Sequence, residues 1–219
     1  MQSLTTIQQL AVAIVPIMLA ITVHEAAHGL VADKLGDHTA RAQGRVTLNP
    51  FKHIDPIGTI ILPLAMYLLS GFMFGWAKPV PVNWRNLKQP RRDTAIVAAA
   101  GPAANFIMLL LWPVIYLLGM QLSGQSTWVA EPLYYMMFFG VQINAVLMVL
   151  NLLPLLPLDG GRILSSFLPP RLAYNFSKTE RWGFLILIAL LVSGILGMIL
   201  TPFVKGLMIL ANQLLQLFG

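Results

Sequence analysis

Two histidines four residues apart, with a glutamate directly after the first, are the part of this 219-residue chain best equipped for chemistry. His24, Glu25 and His28 lie within the otherwise apolar stretch 16–30. On an α-helix, residues four apart stack on one face, so His24 and His28 can grip a single metal ion. Glu25 stands beside them, where a carboxylate can take a proton from metal-activated water. Ionisable groups inside a membrane segment are costly, and their presence there points to function.

The rest of the ligand set has few sources. The chain has no cysteine, only four histidines and eight acidic residues. Thiolate ligands, disulfides and thiol redox chemistry are therefore excluded. A catalytic zinc ion takes three protein ligands and keeps a position for water. Asp159, followed by Gly160 and Gly161, is the candidate third ligand, although Asp-Gly-Gly also reads as a helix-end turn. Spacing alone leaves both readings open. Asn151 carries an amide that could stabilise a developing oxyanion or bond neighbouring backbone. Asn105 reads as a partner for backbone or an adjacent helix. His38 and His53 lie in polar stretches, where a solvated imidazole is the expectation.

These residues need helices in a membrane to position them. The composition is 57% hydrophobic and 10% charged, with a mean hydropathy of +0.75, whereas soluble domains are about one quarter charged. The chain thus reads as an all-α polytopic membrane protein, with residues 1–219 forming one membrane-embedded domain and no cleavable signal peptide at its start. Its net charge of +6 is accounted for by basic loops against anionic lipid, so no nucleic-acid partner is implied.

Apolar runs predict spans at about 7–31, 94–119, 133–158 and 182–200. Residues 203–218 read as either a further span or a surface helix. Thirteen of the fourteen Lys and Arg residues fall in 33–56, 75–93 and 160–181. The positive-inside rule places these three stretches in the cytoplasm. The apolar run 57–74 then has both flanks inside, so it is expected to be re-entrant, and Pro63, Ser70 and Gly71 suit that. The alternation around Arg45, Val46, Thr47 and Leu48 predicts a short strand, half of a β-hairpin. His24, His28 and Asp159 all fall near the cytoplasmic ends of their segments. The expected location is the cell membrane, multi-pass, with the site near its cytoplasmic side.

His24-Glu25-Ala26-Ala27-His28 is followed by Gly44-Arg45-Val46-Thr47-Leu48-Asn49-Pro50, Phe74-Gly75-Trp76-Ala77-Lys78-Pro79-Val80-Pro81-Val82-Asn83 and Gly101-Pro102-Ala103-Ala104-Asn105. Asn151-Leu152-Leu153-Pro154-Leu155-Leu156-Pro157-Leu158-Asp159-Gly160 closes the series. In this order the motifs resemble the site-2 protease family of intramembrane zinc metalloproteases, in a short bacterial form without a PDZ or cystathionine-synthase-type (CBS) domain. The resemblance implies that His24, His28 and Asp159 bind one Zn2+, that Glu25 is catalytic, and that Asn151 belongs to the active site. It also implies a membrane-associated hairpin at 41–49 whose edge aligns an extended substrate. The partners expected are transmembrane segments of membrane-protein substrates, within the lipid bilayer. Two other classes use the same residues: a metal transporter, which needs polar ligands lining a path across the bilayer, and a non-catalytic scaffold. The outer halves of the spans hold no His or acidic residue, which disfavours the first.

Overall fold

The structure is a computed structural model that describes residues 5–61, 77–122, 124 and 126–218. Helix α1 (Thr6–Lys34) begins with a capping box, in which the Gln8 amide N–H donates to Thr5 Oγ1 and the Thr5 N–H to Gln8 Oε1. This satisfies donors that a helix start leaves unpaired. Its other end is closed by a 6→1 bond from Asp37 N–H to Ala32 O and a 5→2 bond from Gly36 N–H to Asp33 O. Gly36 makes that turn with φ +112°, a conformation that a side chain disfavours.

The short helix α2 (Thr39–Ala42) follows, and then α3 (Pro90–Leu122), α4 (Thr127–Asn151), α5 (Asp159–Phe167), α6 (Pro170–Ser177), α7 (Glu180–Val192) and α8 (Ile195–Phe218). Among the described residues, four helical stretches are long and apolar enough to cross a membrane: Ala11–Lys34, Pro90–Leu122, Trp128–Asn151 and Ile195–Leu217. Helices α1, α3 and α4 pack against one another, α5 lies on α3, and α8 closes against α3 and α4. Leu109 and Trp112 of α3, Met137, Val141 and Ala145 of α4, and Ala211 of α8 form the buried contact. Aliphatic side chains such as Ile14, Ile107, Leu118 and Val192 face outward, as lipid-facing helix surfaces do.

Several boundaries differ from the sequence reading. The span expected at 133–158 is helical from Thr127 and stops at Asn151. Residues 152–158 form turns, because Pro154 and Pro157 cannot continue a hydrogen-bonded helix. The expected span 182–200 is divided at Ser193–Gly194, where Gly194 takes φ +76°. Helix α7 has 13 residues, about 20 Å at 1.5 Å each and short of a bilayer. The break joins residues 195–202 to the 203–218 tail, making one helix of crossing length.

The expected strand near 45–48 is not formed, and there is no strand among the described residues. Arg45 N–H bonds back to Ala40 O, and Thr47 Oγ1 accepts from Asn49 N–H, so the backbone turns where a ladder would extend. The re-entrant segment expected at 57–74 falls mostly outside the described residues; its start, Pro56–Ile61, is a π-helical turn.

Two contacts give stability predictions. A Cβ on Gly183 would lie 1.6 Å from Leu156 O, so α7 rests directly on the backbone of the 152–158 turn. Gly183→Ala is expected to cost about 1–3 kcal/mol through overpacking. It should lower the melting temperature in detergent, while Gly197→Ala, whose Cβ meets nothing within 4 Å among the described residues, should not.

The second contact ties α1 to the 77–86 segment through Asp37, which is fully buried. Burial by itself pushes this carboxyl upward. Bonds from Thr39 Oγ1, Asn83 N–H, Asn86 Nδ2 and Thr39 N–H outweigh burial and hold it below its ordinary 3.8. The folded value is the depressed one, so the stabilisation is complete above the ordinary value and disappears as pH falls through the folded one. Acid titration of the melting temperature should show this loss below about pH 4, and Asp37→Asn should flatten it.

Candidate metal centre

His24 and His28 project from one face of α1 toward α3 and the start of α5. Asp159 is the first residue of α5. The turn before it folds tightly over the helix: a Cβ on Gly160 would lie 2.2 Å from Leu152 O, and one on Gly161 would lie 2.5 Å from Leu156 N. The two glycines thus let the 152–158 backbone lie against α5 and bring the aspartate to the imidazoles. The three residues are mostly buried and form a set that could hold a metal ion.

Their donor atoms make a nearly equilateral triangle. His24 Nε2 and His28 Nε2 are 3.0 Å apart, and Asp159 Oδ2 is 3.3 and 3.4 Å from them. Tetrahedral zinc with bonds of about 2.0–2.1 Å requires ligand separations of about 3.3 Å. The protonation pattern agrees. His28 Nδ1 lies 2.8 Å from Val97 O, and a carbonyl can only accept. In the neutral ring Nδ1 therefore carries the proton, and Nε2 turns a lone pair toward its neighbours. Asp159 Oδ2 is buried without a hydrogen-bond partner of its own. Converging lone pairs repel one another, so this donor set matches a cation. Gly101 of α3 supplies the room: a Cβ there would lie 2.4 Å from His28 Nε2 and 2.6 Å from His24 Nε2.

Glu25, the neighbour of His24 on α1, is not one of the three converging donors. Its Oε2 accepts a 2.7 Å hydrogen bond from Val80 N–H. Val80 belongs to the 77–83 segment, which is non-helical and fastened at several points. Arg45 Nη2 donates to Lys78 O at 2.9 Å, Lys78 N–H bonds His53 O at 3.0 Å, and Asn83 N–H bonds Asp37 Oδ2 at 2.7 Å. Val80 also packs on Gly29, where a Cβ would meet the valine at 3.1 Å. Arg45 is thus a buried clamp as well as a basic-loop charge.

The other candidates divide. Asn151 sits at the last residue of α4, where its amide donates to Leu147 O at 2.9 Å; no contact with the triad is recorded among the described residues. His38 is exposed, as expected for a loop histidine, and pairs with Asp33 at 2.8 Å. His53 is a correction: it is 2% exposed, with Nε2 3.0 Å from Thr47 O, because the 47–53 turn closes around its ring.

Asn105 bonds backbone and a neighbouring helix as read from the sequence, through Ala20 O and Asn144, but three roles at the site were not foreseen. Gly101 lines the site, Asn105 bonds His24 Nδ1 through Oδ1, and Asn144 bonds Asn105. Gly101 and Asn105 share the Gly-Pro-Ala-Ala-Asn motif, which drew attention to that part of α3. For Asn144 the signal was a polar amide inside a long apolar run.

Comparison with known proteins bears on this site. The family model for peptidase family M50 matches residues 114–194, a stretch that includes Asn151 and Asp159. A Bacillus subtilis (strain 168) protein described as "Putative zinc metalloprotease YwhC" is 40% identical over 200 residues, covering 88% of this chain and 85% of its own. Rip2 of Mycolicibacterium smegmatis, which carries the same description, is 32% identical over 80% of this chain and 64% of its own. Rip2 of Mycobacterium tuberculosis (strain H37Rv) is 27% identical over 84% of this chain. No solved structure gives a significant match.

Proposed function

Because the chain belongs to peptidase family M50, we propose that this zinc metalloendopeptidase cleaves peptide bonds in or near the transmembrane segments of other membrane proteins. The observation that carries this reading is the triangle of His24 Nε2, His28 Nε2 and Asp159 Oδ2, set among helices of membrane-crossing length. In this reading the three residues hold zinc. Bound zinc supplies Lewis acidity, lowering the pKa of water and polarising the scissile carbonyl.

Glu25 is the general base. It takes a proton from the attacking water as the oxygen bonds to the carbonyl carbon. It then delivers that proton to the departing amine nitrogen as the C–N bond breaks. With Oε2 held by Val80 N–H, Oε1 is the oxygen that carries the proton. Asn151 is the proposed oxyanion donor. One of its amide hydrogens is engaged by Leu147 O, and the second remains for the developing charge.

The distribution of positive charge supports a depth for this chemistry. Lys34 ends α1, and Arg91 and Arg92 open α3. The positive-inside rule favours a cytoplasmic side for these ends, which supports a site within about three helical turns of the inner surface of the cell membrane. Quantitative membrane proteomics on cells carrying wild-type or Glu25→Gln enzyme tests the reading. Transmembrane substrates should accumulate uncut in the variant, and identical membrane proteomes would refute it.

A further inference from the structure

We infer that Asn144, which does not touch the imidazole, is a positioning residue: acting through Asn105, it holds His24 in the tautomer that binds metal. This rests on the reading of His24, His28 and Asp159 as the zinc site.

Asn105 and Asn144 are both fully buried between α1, α3 and α4. An isolated asparagine amide can be turned over, exchanging its oxygen and nitrogen. Here the order is forced from one end. Asn144 Nδ2 lies 2.8 Å from Gly140 O, which only accepts, so the amide must present its nitrogen there. Its Oδ1 then faces Asn105 Nδ2 at 2.9 Å. A second carbonyl, Ala20 O, lies 3.2 Å from the same Asn105 nitrogen and fixes it in the same sense. Asn105 Oδ1 is left facing His24 Nδ1 at 2.5 Å, and an oxygen without hydrogens can only accept. The neutral His24 ring, the form that binds metal, must therefore carry its proton on Nδ1, leaving Nε2 bare beside His28 and Asp159.

His28 reaches the same state by a shorter route, through the backbone carbonyl of Val97. The site thus takes one tautomer from backbone and the other from a chain of two side-chain amides. Two asparagines that only fastened helices together would need no particular order of donors and acceptors. In this chain every link has a single allowed direction, and the last one ends on a metal-facing ring. Partners of this kind typically tune metal affinity about 10–100-fold.

The test uses the full-length protein in detergent, with zinc affinity measured by chelator competition. Asn105→Leu is expected to weaken zinc binding about 10–100-fold and Asn144→Leu about 10-fold. The double variant should be no weaker than Asn105→Leu, because Asn144 acts only through Asn105. In the zinc-loaded wild type, the His24 Nδ1–H resonance should be protected from solvent exchange. In Asn144→Leu it should shift and exchange faster while that of His28 stays in place. Should Asn144→Leu fail to fold, Asn144→Ala and the wild-type exchange measurement decide.

Wild-type zinc affinity in the Asn144 variants, a cost that adds in full to that of Asn105→Leu, or an unprotected His24 ring proton would each overturn the relay. A wild-type chain that takes up no zinc would instead overturn the metal-site reading on which the relay depends.

Discussion

Gly101→Ala is expected to remove zinc from the protein. The substitution adds one methyl group, and its carbon would stand 2.4 Å from His28 Nε2 and 2.6 Å from His24 Nε2. Such a carbon competes for the same space as an ion bonded to both nitrogens at about 2.0–2.1 Å. The rings cannot retreat freely. His28 is tied to Val97 O and His24 to Asn105, both on the same helix as Gly101. At the upper end of overpacking costs, about 3 kcal/mol, affinity falls by about 100-fold or more. Metal content of the purified variant, measured by elemental analysis beside a Gly197→Ala control, checks this. Wild-type zinc content in Gly101→Ala would show that the ion binds elsewhere.

Glu25→Gln is expected to separate metal binding from turnover. The glutamine oxygen can still accept from Val80 N–H, so the attachment of the 77–83 segment survives. The side chain loses its ability to take and return a proton, a contribution of about 10²–10⁴ in rate. Zinc content should remain that of wild type, because Glu25 is not among the three converging donors. The expected outcome is a folded, zinc-loaded chain with peptide cleavage reduced by at least about 100-fold. Loss of zinc together with activity would instead assign Glu25 to the metal.

Much of this site was legible in the sequence because its first half is local. The spacing of His24 and His28 fixes their shared face on a helix whatever the rest of the fold does. Asp159 was different, since spacing alone could not separate a ligand from a turn. The structure shows it at the first position of α5, with Gly160 and Gly161 admitting the backbone that brings it there. The aspartate occupies a turn next to a helix and also joins the donor triangle.

What was not legible depends on tertiary contact or on local breaks that hydropathy does not report. Residues 133–158 and 182–218 are almost uniformly apolar, so their composition hid the helix ends at Asn151 and Val192. Those ends are set by Pro154 and Pro157 in one case and by the positive φ of Gly194 in the other. The alternation at 45–48 was real, but it serves side-chain contacts. Val46 packs on Gly29 while Arg45 reaches to Lys78 O, and neither requires a strand. Asn105 and Asn144 are 39 residues apart in the chain, and no pattern along the sequence announces that one amide orients the other.

The most direct test of the central claim is to locate the cut. The wild-type protein is reconstituted in liposomes with zinc and a panel of membrane proteins bearing single transmembrane segments, and the products are mapped by mass spectrometry. The account predicts cleavage within or beside the transmembrane segment, toward its cytoplasmic end, dependent on zinc and abolished by Glu25→Gln. Cleavage confined to soluble segments far from the membrane, or proceeding undiminished in Glu25→Gln, would contradict it.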